Sequence, residues 1–352
     1  MHNPYRIEGP ASISFSGGRT SGYMLYKILE AHNGRLPGDV FVVFANTGKE
    51  CPQTLDFINE CESRWKVKVH WLEWIYVSDI LQYWRDQASK KVDGAFQDYQ
   101  DARRFNRGNE PVIELARQRY KLAEFAFDLI NIFHNWKYCP VTFDQQGLIN
   151  LQYRYREVSY ETASRVGEPF TVLIQKKHCL PNVVTRFCTE KLKIETINAF
   201  MAAQGFRQRD EVIGLRADEP SLLAKARQWD GERGRYVVLP LAEAGVSKRT
   251  VNEFWARQPF DLKLKDYEGN CDCCFQKGVG KLLTIARENP QRLEWWAARE
   301  SEVTGLARKP TGARWSKNKP TYKQLLQISK AQSNLFPFAI EESEFMDCIC
   351  HE

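Results

Sequence analysis

No stretch of this 352-residue chain approaches the roughly 18 consecutive apolar residues that a membrane-spanning helix needs, and no internal repeat or low-complexity segment is evident. A membrane protein and a repeat architecture are thereby excluded; 43% hydrophobic and 27% charged residues suit a soluble globular chain with one large core or two smaller ones. The opening MHNPYRIEGP lacks the charged and then apolar layout of a secretion signal, which places the chain in the cytoplasm. A dominant charge is lacking too. Lys and Arg number 50 against 44 Asp and Glu, leaving +6, a mild excess that suits a phosphorylated small molecule or weak nucleic-acid contact and requires neither.

What the chain does have is cysteine, ten in all. In a reducing compartment metal binding, redox chemistry and plain burial compete for them, and their clustering separates these uses. Cys51 and Cys61 fall on or near an apolar helix face, where burial is expected. Cys139 and Cys179 are dispersed, Cys188 sits in TRFCTEKLK, three crowd into NCDCCF, and two lie in DCICHE near residue 350. The last two groups are poor core material and point to a metal or cluster.

Along the chain, residues 11–15 read as a buried strand and those after Thr20 or Ser21 as a helix stopped by Asn33-Gly34. DVFVVFAN is a second strand, Pro52 opens a second helix, and VKVHWLEW alternates as a third strand. This alternation predicts an α/β fold with a parallel sheet. Residues 78–179 break the pattern and read as a mainly helical insertion, with RRFNRGNEP as a loop and VIELARQRYKLAEFAFDLINIF as a helix. Regular patterning returns with a helix over 190–204, strands in EVIGL and YVVLPL, and a helix capped by Ser247; helices follow in RLEWWAARESEV and YKQLLQISKAQ. The organisation expected is an α/β core of residues 1–77 and 180–268, the insertion, and a cysteine-containing helical region over 269–352.

The segment ISFSGGRTSGYML joins the first strand to the first helix through two glycines. Such a turn gathers free backbone N–H groups and the positive end of a helix at one point, which favours an anion. Ser16 and Ser21 add hydroxyls and Arg19 adds charge, so phosphate or sulfate is the natural guest; the alternative is an ordinary glycine turn. The turn is neither a Walker loop nor G-x-G-x-x-G. A Gly17→Val change is expected to abolish nucleotide binding and leave the fold largely intact.

SGGRTS after an early strand resembles the pyrophosphate-binding loop of the PP-loop superfamily, and FANTGKECPQTLDFI is similar to the second-strand motif of its phosphoadenylyl-sulfate (PAPS) reductase branch. PNVVTRFCTEKLKI, GLRADEP and GNCDCCFQKG continue the likeness, which covers residues 11–75 and 180–280. The resemblance implies a Rossmann-like PP-loop core that binds ATP or PAPS on Ser16, Gly17, Gly18, Arg19, Thr20 and Ser21, with Asn46, Thr47, Arg186 and Lys193 contributing. Arg216 and Lys191 would serve catalysis, and Asp218 and Glu219 would orient Arg216 or hold Mg²⁺. Cys188, Cys271 and Cys274 match three of the family's four ligands to a [4Fe–4S] cluster, and zinc would satisfy the same thiolates. Where the family has a cysteine pair, this chain has Phe187-Cys188. In DCICHE, Cys348 resembles the nucleophile of the family's reductases, while Cys350 suits a metal ligand.

Two activities follow from the resemblance: thiol-driven reduction of a sulfonucleotide, or ATP α–β cleavage that activates an acceptor for sulfur transfer. The long insertion favours the second, with a sulfur-donor protein and a nucleic-acid substrate as candidate partners, and equally suits a homo-oligomer surface. The rival from another class is a nucleotide-sensing or protein-binding module with structural zinc and no turnover. Trp295 and Trp296 read as helix-packing residues rather than a base-stacking platform.

Overall fold

The computed structural model describes residues 2–105, 109–133, 141–144, 147–150, 154–228, 230–231, 234–307 and 313–331. Its strands are β1 (Ala11–Ser14), β2 (Val40–Asn46), β3 (Val69–Trp74), β4 (Val141–Asp144), β5 (Gly147–Asn150), β6 (Tyr155–Val158), β7 (Arg209–Val212) and β8 (Arg235–Val238). The helices of the first half are α1 (Arg19–Ala31), α2 (Pro52–Trp65), α3 (Val77–Phe105), α4 (Glu110–Phe133) and α5 (Glu168–Lys177). Those of the second are α6 (Thr196–Ala203), α7 (Pro220–Gln228), α8 (Pro240–Glu243), α9 (Lys248–Trp255), α10 (Val279–Glu288), α11 (Gln291–Val303) and α12 (Tyr322–Ala331). A π-helical stretch, Thr189–Glu195, leads into α6.

The chain divides into two compact units, 1–74 with 145–147 and 155–352, and 75–144 with 148–154. In the first, six strands run in the order β6-β3-β2-β1-β7-β8. All neighbours are parallel except β6, which pairs antiparallel with β3. This is an α/β core with a mostly parallel sheet, a layout compatible with a Rossmann-like fold. The continuous apolar run VFVVFAN makes β2 a central strand buried on both faces. One face carries Ile13, Val42, Phe44 and Val212, packed with Met24 and Ile28 of α1, Leu55 and Ile58 of α2, and Val251 and Trp255 of α9. On the other face α6 packs near β2 and β3, with Phe200 edge-on to Phe41 at 5.6 Å and to Tyr155 at 5.7 Å.

Local signals explain the element ends. Pro52 opens α2 at its first turn, where its missing N–H costs nothing. The stop of α1 is as the sequence suggests: Asn33 and Gly34 are left-handed, and the Gly34 amide donates to the Leu29 carbonyl at 2.8 Å. Ser247 caps α9 in a reciprocal box with Thr250. The start of α1 differs from expectation. Gly18, not Thr20 or Ser21, holds the extended cap position, because the Ser21 hydroxyl turns back to the Gly18 carbonyl at 3.1 Å. The strand expected over 211–215 ends at Val212, since Gly214 must pass α1 closely: a Cβ there would lie 3.3 Å from the Ser21 Cα.

The second unit contains α3 and α4, packed against each other through stacked Tyr99 and Tyr120, ring centres 6.3 Å apart, together with β4 and most of β5. Residues 155–179, assigned to the insertion in the sequence reading, supply β6 and α5 to the first unit, and the described part of the 269–352 region belongs there as well. Among the described residues no helix is long and apolar enough to cross a membrane.

A buried ion pair locks the sheet edge to the β2 terminus. Glu73 is fully buried, accepts from Asn46 Nδ2 at 2.7 Å and Ser164 N at 2.7 Å, and pairs with the Arg156 guanidinium from β6. Glu73→Ala strands that guanidinium in the interior and is expected to lower unfolding stability by about 3–5 kcal/mol. Replacing both Glu73 and Arg156 by Leu should cost much less. Urea denaturation of the two variants checks the difference.

Candidate functional site

In a parallel sheet whose strand order reverses about its first strand, loops diverge at the carboxyl edge and leave a crevice there. Here β1 is that strand, with β2 on one side and β7 on the other. Ser16, Gly17 and Gly18 follow β1 and enter α1 at its N-terminus. Gly17 is left-handed at φ +79°, and a Cβ on it would lie 2.6 Å from Thr54 Cγ2 and 2.8 Å from Ile58 Cδ1. Glycine is thus required by both backbone and packing.

Among the described residues, no acceptor takes a hydrogen bond from the amides of Gly17, Gly18, Arg19, Thr20 or Ser21. Gly17, Gly18, Thr20 and Ser21 are buried, so water is a poor substitute partner. The helix dipole adds positive potential at the same spot. Two loops converge on the turn, which is also bonded within itself. Arg216, after β7, donates to Thr20 Oγ1 at 2.9 Å; Asn270 Nδ2 donates to the Ser16 carbonyl at 3.1 Å; and Ser16 Oγ lies 3.0 Å from Ser21 Oγ.

The cationic residues sort differently from their sequence positions. Arg19 turns to Asp261, with Nε to Oδ1 at 2.8 Å and Nη2 to Oδ2 at 2.5 Å, and is a structural clamp on the chain after α9. Arg216 is buried and held by Asp218 at 3.0 Å and Glu219 at 3.0 Å, so both carboxylates orient it. Lys191 pairs with Glu195 and, at 3.4 Å, Glu190 on the helix surface. Arg186 lies half-buried, its Nη2 donating to Thr189 Oγ1 at 3.3 Å. Lys193 is buried, 4.0 Å from Cys271 Sγ and 3.8 Å from Glu50. The sequence predicts one helix over 190–204; a π-helical stretch, Thr189–Glu195, takes the place of its first part, and Lys191 and Lys193, two residues apart, face different surroundings.

The β2 loop is internally bonded. Asn46 Nδ2 also donates to the Ser164 carbonyl at 2.9 Å, and Asn46 Oδ1 accepts from the Gly48 amide at 3.1 Å. The Thr47 amide and hydroxyl both donate to Glu50, each at 2.9 Å. Burial raises the Glu50 carboxyl above its ordinary range, and Lys193 partly offsets this. The loop is stitched to the cysteine segment by a bridge between Glu50 and Cys271, by Cys51 N to the Asn270 carbonyl at 2.7 Å and by Asp272 N to the Lys49 carbonyl at 2.7 Å.

Cys188, Cys271, Cys273 and Cys274 are all buried. Among the described residues no group of three or more His, Cys, Asp or Glu is arranged to hold a metal ion. Of the expected ligands, Cys188, Cys271 and Cys274 lie among the described residues, while Cys348 and Cys350 lie outside them, as does Cys139. Cys51 and Cys61 are completely buried, as expected of core thiols. Trp296 is likewise core, 4.7 Å from Trp315 and 5.6 Å from Tyr322, while Trp295 lies 5.1 Å from the Lys49 ammonium and 5.5 Å from the Arg299 guanidinium. A separate cavity of about 520 Å³, lined by Glu300, Thr304, Gly305, Arg314 and Lys323 among others, contains none of these candidate residues.

Sequence reasoning missed Glu50, Asp261 and Asn270. Glu50 and Asn270 lie inside the motifs FANTGKECPQTLDFI and GNCDCCFQKG, which was the available signal; Asp261 carried none.

Two predictions follow from the packing of this region. Gly17→Val does not spare the fold as the sequence suggests, because the new side chain meets α2 and the left-handed backbone disfavours it. A loss of about 2–4 kcal/mol is expected, read by thermal and urea unfolding. Burial pushes the Cys51 thiol up to about 12; at about pH 8 only on the order of one molecule in ten thousand is thiolate there. Mass mapping after brief iodoacetamide treatment of the folded protein should leave Cys51 unmodified.

No family model matches the chain, and no solved structure matches it. Over 272 residues it is 26% identical to a protein of Escherichia phage lambda described as "Uncharacterized nin region protein ORF290", spanning 77% of this chain and 67% of that protein.

Proposed function

We propose that the protein is a PP-loop enzyme of the PAPS reductase type, which seats the phosphates of an adenine nucleotide on the turn from Ser16 to Ser21. The observation that carries this reading is the run of amides from Gly17 to Ser21 without acceptors among the described residues, at the carboxyl edge of the strand about which the sheet order reverses. Phosphate oxygens would accept those donors, and Arg216, held beside Thr20, would add charge-assisted bonds. Lys193, buried near Cys271, supplies a second cation where the β2 loop and the cysteine segment meet.

Of the two chemistries, ATP α–β cleavage is the better supported. Attack by an acceptor oxygen on the α-phosphorus forms the new P–O bond, breaks the bond to the bridging oxygen and expels pyrophosphate, whose charge the amides and Arg216 would stabilise. The helical second unit offers surface beyond what the nucleotide needs, consistent with a larger acceptor such as a nucleic acid, with a sulfur-donor protein as co-substrate. If a [4Fe–4S] cluster or zinc is bound, Cys188, Cys271 and Cys274 would supply only part of its ligands; no step above passes through it or through Mg²⁺.

Titration calorimetry with ATP and with PAPS, followed by assays for pyrophosphate and for sulfite, tests the reading. Binding of ATP and pyrophosphate release with an acceptor are expected. Sulfite release from PAPS with a thiol donor would select the reductase instead. Binding of neither nucleotide contradicts both and leaves the non-catalytic module.

A further inference from the structure

The orientation of the Ser16–Gly17 peptide decides what the turn offers a ligand. In a trans peptide the carbonyl and the following N–H point in opposite directions. Among the described residues the cis peptide is Gly9–Pro10, so Ser16–Gly17 is trans. Glycine takes positive and negative φ with similar ease, so this peptide can turn over cheaply, exchanging a donor for an acceptor at the anion position. Whatever holds the Ser16 carbonyl therefore sets the site's polarity.

That group is Asn270. Its Nδ2 donates to the Ser16 carbonyl at 3.1 Å and approaches Ser16 Oγ at 3.5 Å. The carbonyl is thus drawn toward the cysteine segment and the Gly17 amide is directed away from it. Asn270 is itself well anchored: its carbonyl accepts from Cys51 N at 2.7 Å, and the flanking Cys271 bridges to Glu50. Behind it, Arg292 ties Asp272 at 2.5 Å and also Glu268, and Lys277 Nζ donates to the Cys271 carbonyl at 3.0 Å. A displacement of residues 269–272 would be transmitted to the Ser16 carbonyl through the Asn270 side-chain amide.

We propose that Asn270 is a positioning residue that locks the Ser16–Gly17 peptide in its anion-accepting orientation and so makes nucleotide affinity depend on the placement of the cysteine segment. This rests on the nucleotide reading above. Asn270 touches no reacting atom; it acts through the Ser16 carbonyl.

The test compares Asn270→Leu, which keeps the branched side-chain shape and removes the amide, with Asn270→Ala, which removes both. Dissociation constants for ATP and PAPS are measured calorimetrically on the full chain, with the thermal midpoint of each variant. Both substitutions are expected to weaken the nucleotide that wild type binds by about tenfold, the size of one lost hydrogen bond plus the freed peptide, while the Leu variant keeps its midpoint within about 2 °C of wild type. Wild-type affinity in the Leu variant, with loss only in the destabilised Ala variant, would make Asn270 a packing residue and overturn the assignment. Wild type that binds neither nucleotide would instead sink the underlying reading, and the assignment with it.

Discussion

The amides of Gly17 to Ser21 stand at the head of α1 with no acceptor among the described residues, most of them withdrawn from water. Buried donors without partners are costly, and a helix N-terminus concentrates them with a positive dipole. The surrounding architecture holds this arrangement rather than relieving it. Thr54 and Ile58 of α2 close on Gly17, Gly214 passes against Ser21, and Trp255 Nε1 donates to the Arg19 carbonyl at 2.8 Å. None of these contacts supplies an acceptor to the turn, which leaves its donors open to an oxyanion as the proposed function requires.

Around that centre, charge is distributed by role. Arg19, the cation inside the motif, serves the fold through Asp261, whereas Arg216 from a distant loop is presented to Thr20 by two carboxylates. Lys191 is a surface partner of glutamates, and Lys193, two residues on, faces Glu50 and Cys271 in the interior. The cysteine segment is sewn to the β2 loop by main-chain bonds and to the turn by the Asn270 amide, so three sequence-distant motifs form one mechanical unit.

Much of this was legible beforehand because it depends on local rules. Pro52, Ser247 and the Asn33-Gly34 stop each act within one helical turn of their own position, and the apolar run of β2 demands burial whatever surrounds it. What could not be read is set by partners far away in the chain. Nothing near Arg19 announces Asp261, nothing near Glu73 announces Arg156, and periodicity cannot show that the helix over 190–204 opens into a π-helical stretch. Gly17 shows both cases: its need for glycine was evident from the turn, while the close approach of α2, which makes any side chain there damaging to the fold as well, appears only in three dimensions.

The proposed phosphate seat is built from backbone N–H groups, which can be observed directly. In protein labelled with ¹⁵N-glycine, the Gly17 and Gly18 amide resonances, among the 21 glycines of the chain, can be followed as inorganic pyrophosphate is added. Saturable downfield shifts of these two are expected, with distant glycines such as Gly205 and Gly305 unmoved. Resonances of Gly17 and Gly18 that stay in place while ATP, PAPS and pyrophosphate are each raised to millimolar concentration would contradict the proposed seat.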